Sequence, residues 1–364
     1  MSKHIHNMIG KLVVLGFSGH SVTLELRSIV KNYDLGGIIL FDRNVESPFQ
    51  VASLSREAVS LSTEWPPWVS IDQEGGRVAR LGAPFTCWPP MSTLGHSVDV
   101  DLARRFSQAL ARELSAVGIT LNYAPVLDVN TNPENPVIGD RAFSDRVERV
   151  SRLGMAVIEG LQEGGVAACG KHFPGHGDTV CDSHFDLPVV YKSREDLAQI
   201  EMQPFRVASA SGLATMMTAH VIYKNIDDVA PATLSKILLT DVLREDLGFK
   251  GLLISDDMEM KAITGIRSVE DAAVEAIVAG CDMILLCGED VDLHISVIER
   301  LIDAVEKNVI TRHRLEEALS RQEFVKSLFL KEVRGESLIT METLNGLIGS
   351  EEHRNLAAEI ERLI

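Results

Sequence analysis

The chain has 364 residues, of which 45% are hydrophobic and 24% are charged, a composition typical of a globular protein with a substantial core. Its formal net charge of -17 leaves no basic surface for nucleic acid and would be repelled by anionic membranes. We therefore exclude polyanionic partners and expect a small-molecule ligand without strong negative charge. The length alone fits either two average domains or one large barrel.

Cysteine usage and the N-terminus give the expected compartment. The five cysteines have irregular spacing and form no CxxC pair, so neither a disulfide framework nor a zinc finger is expected. An apolar run at Ile9–Phe17 is interrupted by Lys11, and no cleavage site of small residues follows it, which argues against a secretory signal. Because no stretch of about 20 apolar residues occurs, we expect a cytoplasmic protein, acting as a monomer without membrane contact.

Short β-rich runs alternate with helical patterns along the chain and predict the fold. Between the third and fourth runs, Leu102, Phe106 and Leu110 share one helical face, and Ser193 and Ser268 have the spacing of helix caps. Eight such repeats predict an α/β fold, a (β/α)8 barrel of the TIM type, and the runner-up is a doubly wound sheet. The runs are Leu12–Phe17, Gly37–Phe41, Trp68–Asp72, Thr120–Val129, Val166–His172, Ala214–Val221, Leu252–Asp256 and Met283–Leu286.

The pattern changes near Asn308, after which only helical segments are predicted. We therefore divide the chain into a catalytic barrel, residues 1–307, and a C-terminal helical appendage, residues 308–364, packed on that barrel.

Most of the predicted strands end in polar side chains, and in a barrel these ends lie on one face, where catalytic groups are found. Ending one strand in a charge is ordinary, whereas ending most of them so predicts a polar pocket. These side chains are Asp42 and Arg43, Asp72 to Arg77, Asp128 and Asn130, Lys171 and His172, Thr218 and His220, and Ser255 to Asp257.

The densest group of ionisable residues runs from Lys171 to Asp178 and continues through Asp182 to His184. Its glycines and proline predict a loop that carries side chains over a site, because so many charges would be costly in a core. His176 could do no more than brace this loop.

This segment resembles the signature of glycoside hydrolase family 3, and within it the NagZ-type β-N-acetylglucosaminidases. The family pattern is Lys-His-[Phe/Ile]-Pro-Gly-His-Gly followed shortly by Asp-Ser-His. Further matching pieces occur in the family's order; they are Asp72-Gln73-Glu74-Gly75-Gly76-Arg77, Asn122 to Asp128, Gly139 to Phe143, and Ser255-Asp256-Asp257-Met258.

The resemblance implies a role for each matching residue. Asp256 corresponds to the nucleophile, His184 to the acid/base, and Asp182 to the carboxylate that pairs with this histidine. The residues implied to hold the terminal sugar are Asp72, Arg80, Arg141, Lys171 and His172. No metal or other cofactor is implied. The implied substrate is N-acetylglucosaminyl-1,6-anhydro-N-acetylmuramic acid, with or without peptide, in peptidoglycan recycling.

General chemistry is consistent with these roles. Retaining hydrolysis needs a nucleophile and a proton donor on opposite sides of the scissile bond. A histidine, whose ordinary pKa is about 6.5, can donate a proton to the leaving oxygen and later accept one from water. The glycine-bearing loop Gly175–His184 is expected to move and carry His184 into place when substrate binds.

Simpler interpretations of single residues stay open. Asp257 could be the nucleophile in place of Asp256, because neighbouring strand residues point in opposite directions. Arg77 and Glu74 could form a structural ion pair at the rim of the barrel, and Asp140 and Arg141 could form a salt bridge within their loop. His220 could simply cap a strand.

Four other functions compete with this hypothesis. A metal-dependent hydrolase could use His172, His176, Asp178, Asp182 and His184 as ligands. A family 3 β-glucosidase would take its acid/base from another domain, for which this chain is too short. Phosphorolysis is possible because a histidine does not repel phosphate as a carboxylate would. A non-catalytic sugar-binding module would leave Asp256 and His184 unexplained.

Overall fold

A computed structural model describes residues 3–62, 65–183, 185–330 and 340–363 of the chain. Eight parallel strands form a closed barrel in which each strand pairs with the next and the last returns to the first. This closure confirms the predicted (β/α)8 fold and is incompatible with an open, doubly wound sheet. The strands are β1 Val13–Leu15, β2 Gly37–Leu40, β3 Trp68–Ile71, β4 Leu121–Asn122, β5 Ala167–Phe173, β6 Thr215–Thr218, β7 Leu252–Asp257 and β8 Met283–Leu286.

Helices surround the barrel, and several begin at the predicted caps: Ser193 Oγ accepts a hydrogen bond from Asp196 N, and Ser268 Oγ accepts one from Asp271 N. A π-type helix, Ile237–Asp246, connects β6 to β7. The α-helices are α1 Lys3–Gly10, α2 Leu24–Tyr33, α3 Pro48–Ser60, α4 Met91–Ser97, α5 Val100–Ala116, α6 Val147–Glu163, α7 Arg194–Gln199, α8 Gln203–Ala210, α9 Lys261–Thr264, α10 Val269–Ala279, α11 Val291–Glu306, α12 Arg312–Phe329, α13 Met341–Leu347 and α14 Glu351–Glu361.

The strands are apolar on both sides because one side faces the interior of the barrel and the other faces the surrounding helices. In β2, Ile38 and Leu40 pack against the surrounding helices, whereas Ile39 between them points into the barrel. In β8, Leu285 points inward in the same way. Such alternation follows from the two-residue repeat of a strand, and it explains why continuous apolar runs predicted the barrel.

Strand β4 is much shorter than the predicted run Thr120–Val129. Pro125 has no backbone N–H to contribute to a regular ladder, so the chain continues beside β5 through irregular hydrogen bonds. Cys169 N donates to Ala124 O at 2.8 Å, and Leu127 N donates to Lys171 O at 2.7 Å.

Helix α12 closes the end of the barrel opposite the predicted site. Val325 and Leu330 complete the apolar cluster inside the barrel. The buried Lys326 donates from Nζ to Gly36 O at 3.0 Å and to Pro66 O at 2.9 Å, both at the beginnings of strands.

A buried carboxylate fastens the same helix to β8. Asp282, directly before β8, is fully buried and receives Arg314 and Arg321 of α12 at 2.7 and 3.0 Å. Arg244 of the π-type helix approaches it at 2.6 Å. The three arginines outweigh the effect of burial, which alone would raise the pKa of Asp282, and hold that pKa below its usual value.

The final helices pack on the outside of the barrel. Glu113 of α5 is buried and accepts hydrogen bonds from Gly349 N at 3.0 Å and His353 Nδ1 at 2.8 Å, as well as from Thr86. The predicted boundary at residue 307 falls between α11 and α12. Because α12 closes the barrel itself, the division of the chain into two units stays a prediction. Within the described ranges, the helices are all too short or too polar to cross a membrane.

Replacing Lys326 by Met is expected to change how stability depends on pH. Burial lowers the pKa of Lys326 to about 7, from 10.5, despite the nearby Asp34. Between these pH values the unfolded chain binds more protons, so this lysine makes the free energy of unfolding rise with pH, by about 1 kcal/mol per pH unit. Urea unfolding of the protein and of Lys326→Met from about pH 7 to pH 9 measures the difference. Parallel pH dependences would contradict a neutral buried lysine.

Candidate active site

Four charged side chains from distant parts of the chain form one network at the mouth of the barrel. Lys171 of β5 lies 2.7 Å from Asp72, which follows β3, and 2.6 Å from Glu74. Arg141, at the end of the single turn Gly139–Arg141, donates from Nε and Nη2 to the two oxygens of Glu74 at 2.9 and 2.8 Å. Three of the predicted sugar-binding residues are therefore brought together through a carboxylate that the prediction did not include.

Burial alone would raise the pKa of Glu74, but Arg141 and Lys171 outweigh it and hold this pKa far below its usual value. For Lys171, burial would lower the pKa, and Asp72 and Glu74 outweigh it and raise the pKa. Glu74 and each of the two cations therefore favour one another's charged forms.

The suggested ion pair between Arg77 and Glu74 is wrong. Arg77 is half exposed and pairs with Asp140 at 3.0 Å, whereas Glu74 is buried against Arg141. The turn Gly139–Arg141 explains both contacts, because it directs Asp140 outward and Arg141 inward. Asp140 and Arg141 do not pair with each other, because Asp140 pairs with Arg77 and Arg141 pairs with Glu74.

Arg80, the fourth predicted sugar-binding residue near this network, is held more loosely. Its Nη2 lies 3.9 Å from Asp72 Oδ2, and its guanidinium lies over the ring of Phe41, 5.1 Å from the ring centre. The backbone N–H of Arg80 donates to Gln73 Oε1 at 2.7 Å. The backbone is thus fixed, while the side chain keeps donors for a ligand.

His172 is fixed by a buried carboxylate that the prediction also omitted. Asp128 Oδ2 lies 2.7 Å from His172 Nδ1, and Asp128 Oδ1 accepts from the backbone N–H groups of His172 and His176 at 3.1 and 2.7 Å. Burial would raise the pKa of Asp128, but the two imidazoles and these hydrogen bonds lower it. The position of Asp128 at the end of a matched motif is a signal that could have identified it.

The first half of the predicted loop is held firmly. Asn135 Nδ2 donates to His176 O at 2.9 Å and to Gly177 O at 3.1 Å. Gly177 lies so close to Val129 that a Cβ atom on residue 177 would be 1.7 Å from the carbonyl oxygen of Val129. These contacts hold the beginning of the loop in place in this structure, and the movement of the loop when substrate binds stays a prediction.

His176 braces the loop from inside. Its Nδ1 lies 2.9 Å from Thr179 Oγ1 and its Nε2 lies 3.1 Å from Ser183 Oγ. Burial lowers the pKa of His176 to about 4, assisted by the nearby His172, so the ring is neutral at neutral pH. These contacts agree with the bracing role suggested from the sequence.

The predicted acid/base pair lies at the far end of this loop. Asp182 is half-buried, and its backbone oxygen accepts hydrogen bonds from Phe185 N and Asp186 N, both at 3.0 Å. Ser183 is buried, and its backbone oxygen accepts from Ala262 N at 3.2 Å, in the segment that follows β7. His184 lies outside the described residues.

Asp256 and Asp257 end β7 in different surroundings. Asp256 Oδ1 accepts one hydrogen bond from Asp257 N at 2.8 Å. Burial would raise the pKa of Asp256, but the imidazoles of His220 and His172 and this hydrogen bond outweigh it and lower the pKa. An ionised carboxylate with a free oxygen edge can attack an electrophilic carbon.

The carboxylate of Asp257, in contrast, is used by the backbone. Its Oδ1 accepts from Glu259 N and from Cys287 N of the segment after β8, both at 3.1 Å. Burial raises the pKa of Asp257 to about 7 although these hydrogen bonds oppose it. His220 Nε2 lies 2.9 Å from Asp257 O and Nδ1 lies 2.7 Å from Thr233, so His220 braces the end of β7.

Three of the five proposed metal ligands have other partners in the structure. His172 contacts Asp128, His176 contacts Thr179, and Asp178 forms an ion pair with Lys192 at 3.0 Å. In the part of the chain that the structure describes, no three His, Cys, Asp or Glu side chains are placed to hold a metal ion.

A parallel barrel that carries an ionised carboxylate at its mouth, beside charged donors suited to hydroxyl groups, has the site of a glycoside hydrolase. The particular family follows from the sequence match. The chain belongs to glycosyl hydrolase family 3, because the model of the family's N-terminal domain matches residues 4–323.

Similar proteins of known activity indicate which glycosides this hydrolase cleaves. A β-hexosaminidase of Neisseria meningitidis is 40% identical over 76% of this chain and 78% of its own length, and one of Thiobacillus denitrificans is 43% identical over 70% and 71%. A solved family 3 β-N-acetylglucosaminidase from Paenibacillus is 38% identical, with a TM-score of 0.94 over 98% of this chain and 68% of that one. NagZ from Neisseria gonorrhoeae, solved with N-trifluoroacetyl-D-glucosamine, is 33% identical, with a TM-score of 0.79 over 97% of both chains. The chain is thus a NagZ-type β-N-acetylglucosaminidase, a hydrolase that acts on N-acetylhexosamine glycosides.

Proposed function

We propose that this enzyme removes terminal N-acetylglucosamine from N-acetylglucosaminyl-1,6-anhydro-N-acetylmuramic acid, with or without peptide, through a covalent intermediate on Asp256. The observation that carries the chemical part is the ionised Asp256 carboxylate at the mouth of the barrel, with one oxygen held by Asp257 N. The substrate, and with it a place in cytoplasmic peptidoglycan recycling, rests on the likeness to NagZ.

In the first step, Asp256 attacks the anomeric carbon and the bond to the leaving oxygen breaks. His184 in its protonated form gives its proton to that oxygen, and Asp182 stabilises the imidazolium. In the second step, the neutral His184 takes a proton from water, the water oxygen attacks the anomeric carbon, and the ester with Asp256 is broken. Two inversions give retention of configuration.

Asp256 is favoured over Asp257 by what each carboxylate contacts. Asp257 would have to give up its hydrogen bonds from Glu259 N and Cys287 N in order to reach a substrate. A carboxyl group that is partly protonated near neutral pH is also the poorer nucleophile.

The sugar would be held by Asp72, Arg80, Arg141, Lys171 and His172. In the network, each of the two buried cations keeps its charge through the neighbouring carboxylates, and Asp72 remains partly exposed. Charged donors and acceptors give hydrogen bonds about twice as strong as neutral ones, which suits the hydroxyl groups of a sugar.

Asp256→Ala is expected to lower kcat by a factor on the order of 10⁴ or more, because no covalent intermediate can form. Incubation of the unaltered enzyme with a 5-fluoro N-acetylglucosaminide that carries a good leaving group, followed by peptide mass spectrometry, should find the sugar on Asp256. Asp257→Ala is the matched control and should still be labelled. A label on Asp257 would overturn the assignment.

His184→Ala is expected to slow hydrolysis by about 10²- to 10⁴-fold for a glycoside whose leaving group needs a proton. A dinitrophenyl glycoside needs none, so its first step should be affected much less. Stopped-flow measurement of leaving-group release from both substrates tests this. Equal losses on the two would show that residue 184 is not the acid.

A third expectation concerns the substrate. The anhydro-muropeptide should be cleaved with a kcat/KM at least about tenfold above that of N,N′-diacetylchitobiose, because binding energy from the leaving group lowers the barrier. A preference for the chitin fragment would refute the recycling role.

Product analysis with and without phosphate should yield free N-acetylglucosamine in both cases. Formation of the sugar 1-phosphate would establish phosphorolysis instead.

A further inference from the structure

We propose that Glu74 is a positioning residue that holds Lys171 and Arg141 in the arrangement required to bind the sugar. This inference rests on the proposed sugar-binding roles of those two residues. Glu74 itself is only 1% exposed, so its carboxylate acts through its neighbours and does not touch a substrate.

Both oxygens of Glu74 are occupied by the two cations. Oε1 forms an ion pair with Lys171 Nζ at 2.6 Å and accepts a hydrogen bond from Arg141 Nη2 at 2.8 Å, and Oε2 accepts one from Arg141 Nε at 2.9 Å. The planar fork of the guanidinium matches a carboxylate in this two-point contact. One side chain thus fixes the orientation of Arg141 and the position of the Lys171 ammonium together.

Counting donors shows what remains for a ligand. Arg141 has five N–H groups, of which Glu74 takes two and Val137 O takes one at 3.2 Å. Lys171 has three, of which Asp72 takes one, while the ammonium forms an ion pair with Glu74. Two donors on Arg141 and at least one on Lys171 are therefore left, in positions that Glu74 determines.

Charge gives a second reason why this carboxylate is needed. The two cations share a single oxygen of Glu74, which places them close enough to repel each other strongly in a buried site. A glutamine has one acceptor oxygen, and its amide group is a donor that would face a cation. With Glu74→Gln, the two cations can no longer be held together.

The backbone that carries Glu74 is rigid. The preceding residue, Gln73, accepts from Asn122 Nδ2 at its carbonyl and donates its own N–H to Asn122 Oδ1. The following Gly75 has a positive φ of 108° and packs against Pro89, where a Cβ atom would lie 2.7 Å from a carbonyl oxygen. The same segment carries two predicted sugar-binding residues, Asp72 before Glu74 and Arg80 after it.

The test compares Glu74→Gln with Glu113→Gln. Glu113 is an equally buried carboxylate with several hydrogen bonds, but it lies between α5 and α14, away from the site. The kcat/KM values are measured for nitrophenyl N-acetyl-β-glucosaminide and its 3-, 4- and 6-deoxy analogues, together with the melting temperature of each variant. A purely structural role would make the two variants alike.

We expect Glu74→Gln to lower kcat/KM for the parent glycoside by about 100-fold. The deoxy penalty is the fold loss of kcat/KM between the parent glycoside and the deoxy analogue that the unaltered enzyme cleaves least well. In the unaltered enzyme this penalty should be at least about tenfold, and in Glu74→Gln it should fall below about threefold. Glu113→Gln should keep the full penalty. If the penalty persists in Glu74→Gln, the inference is overturned while the sugar-binding assignment stands. If the unaltered enzyme shows no penalty for any analogue, the assignment fails, and the inference with it.

Should Glu74→Gln not fold, Glu74→Asp serves the same comparison. It keeps the charge but withdraws the carboxylate by one methylene group, so it cannot reach both cations. A reduced deoxy penalty in this variant supports the inference, and an unchanged penalty overturns it.

Discussion

Closure of the parallel barrel is the constraint on which the site depends. Because all eight strands point the same way, their carboxyl ends meet at one rim, and residues far apart in sequence become neighbours. Lys171 contacts Asp72 across 99 positions, and Arg141 contacts Glu74 across 67. No local element could create these pairs, so the electrostatics of the mouth exist only in the complete ring of strands.

The strands could be predicted from the sequence because burial on both faces leaves a continuous apolar run in each. The contacts of the site could be predicted less well. The sequence suggested an ion pair between Glu74 and Arg77, a neighbour in sequence, whereas the fold pairs Glu74 with Arg141 and Lys171. Asp128 was recognised as the polar end of a strand, but not as the partner of His172. Partners of this kind depend on which side chains the barrel brings face to face.

A common arrangement underlies both omissions. Residues matched to direct roles, such as His172 and Lys171, each lie on a buried carboxylate that no substrate can reach. Glu74 balances the charge of Lys171, and Asp128 fixes the direction of the His172 ring through Nδ1. A motif shows which residues are present, but only packing shows which one supports which.

The helix that seals the floor of the barrel also has a meaning for biosynthesis. Val325, Lys326 and Leu330 are translated after all eight strands, yet they cover Trp68 and the other side chains inside the ring. A chain synthesised only as far as β8 lacks these three side chains, and it also lacks Arg314 and Arg321, which pair with Asp282. The apolar opening of the ring and part of the charge around Asp282 therefore receive their cover from residues that are translated after the last strand.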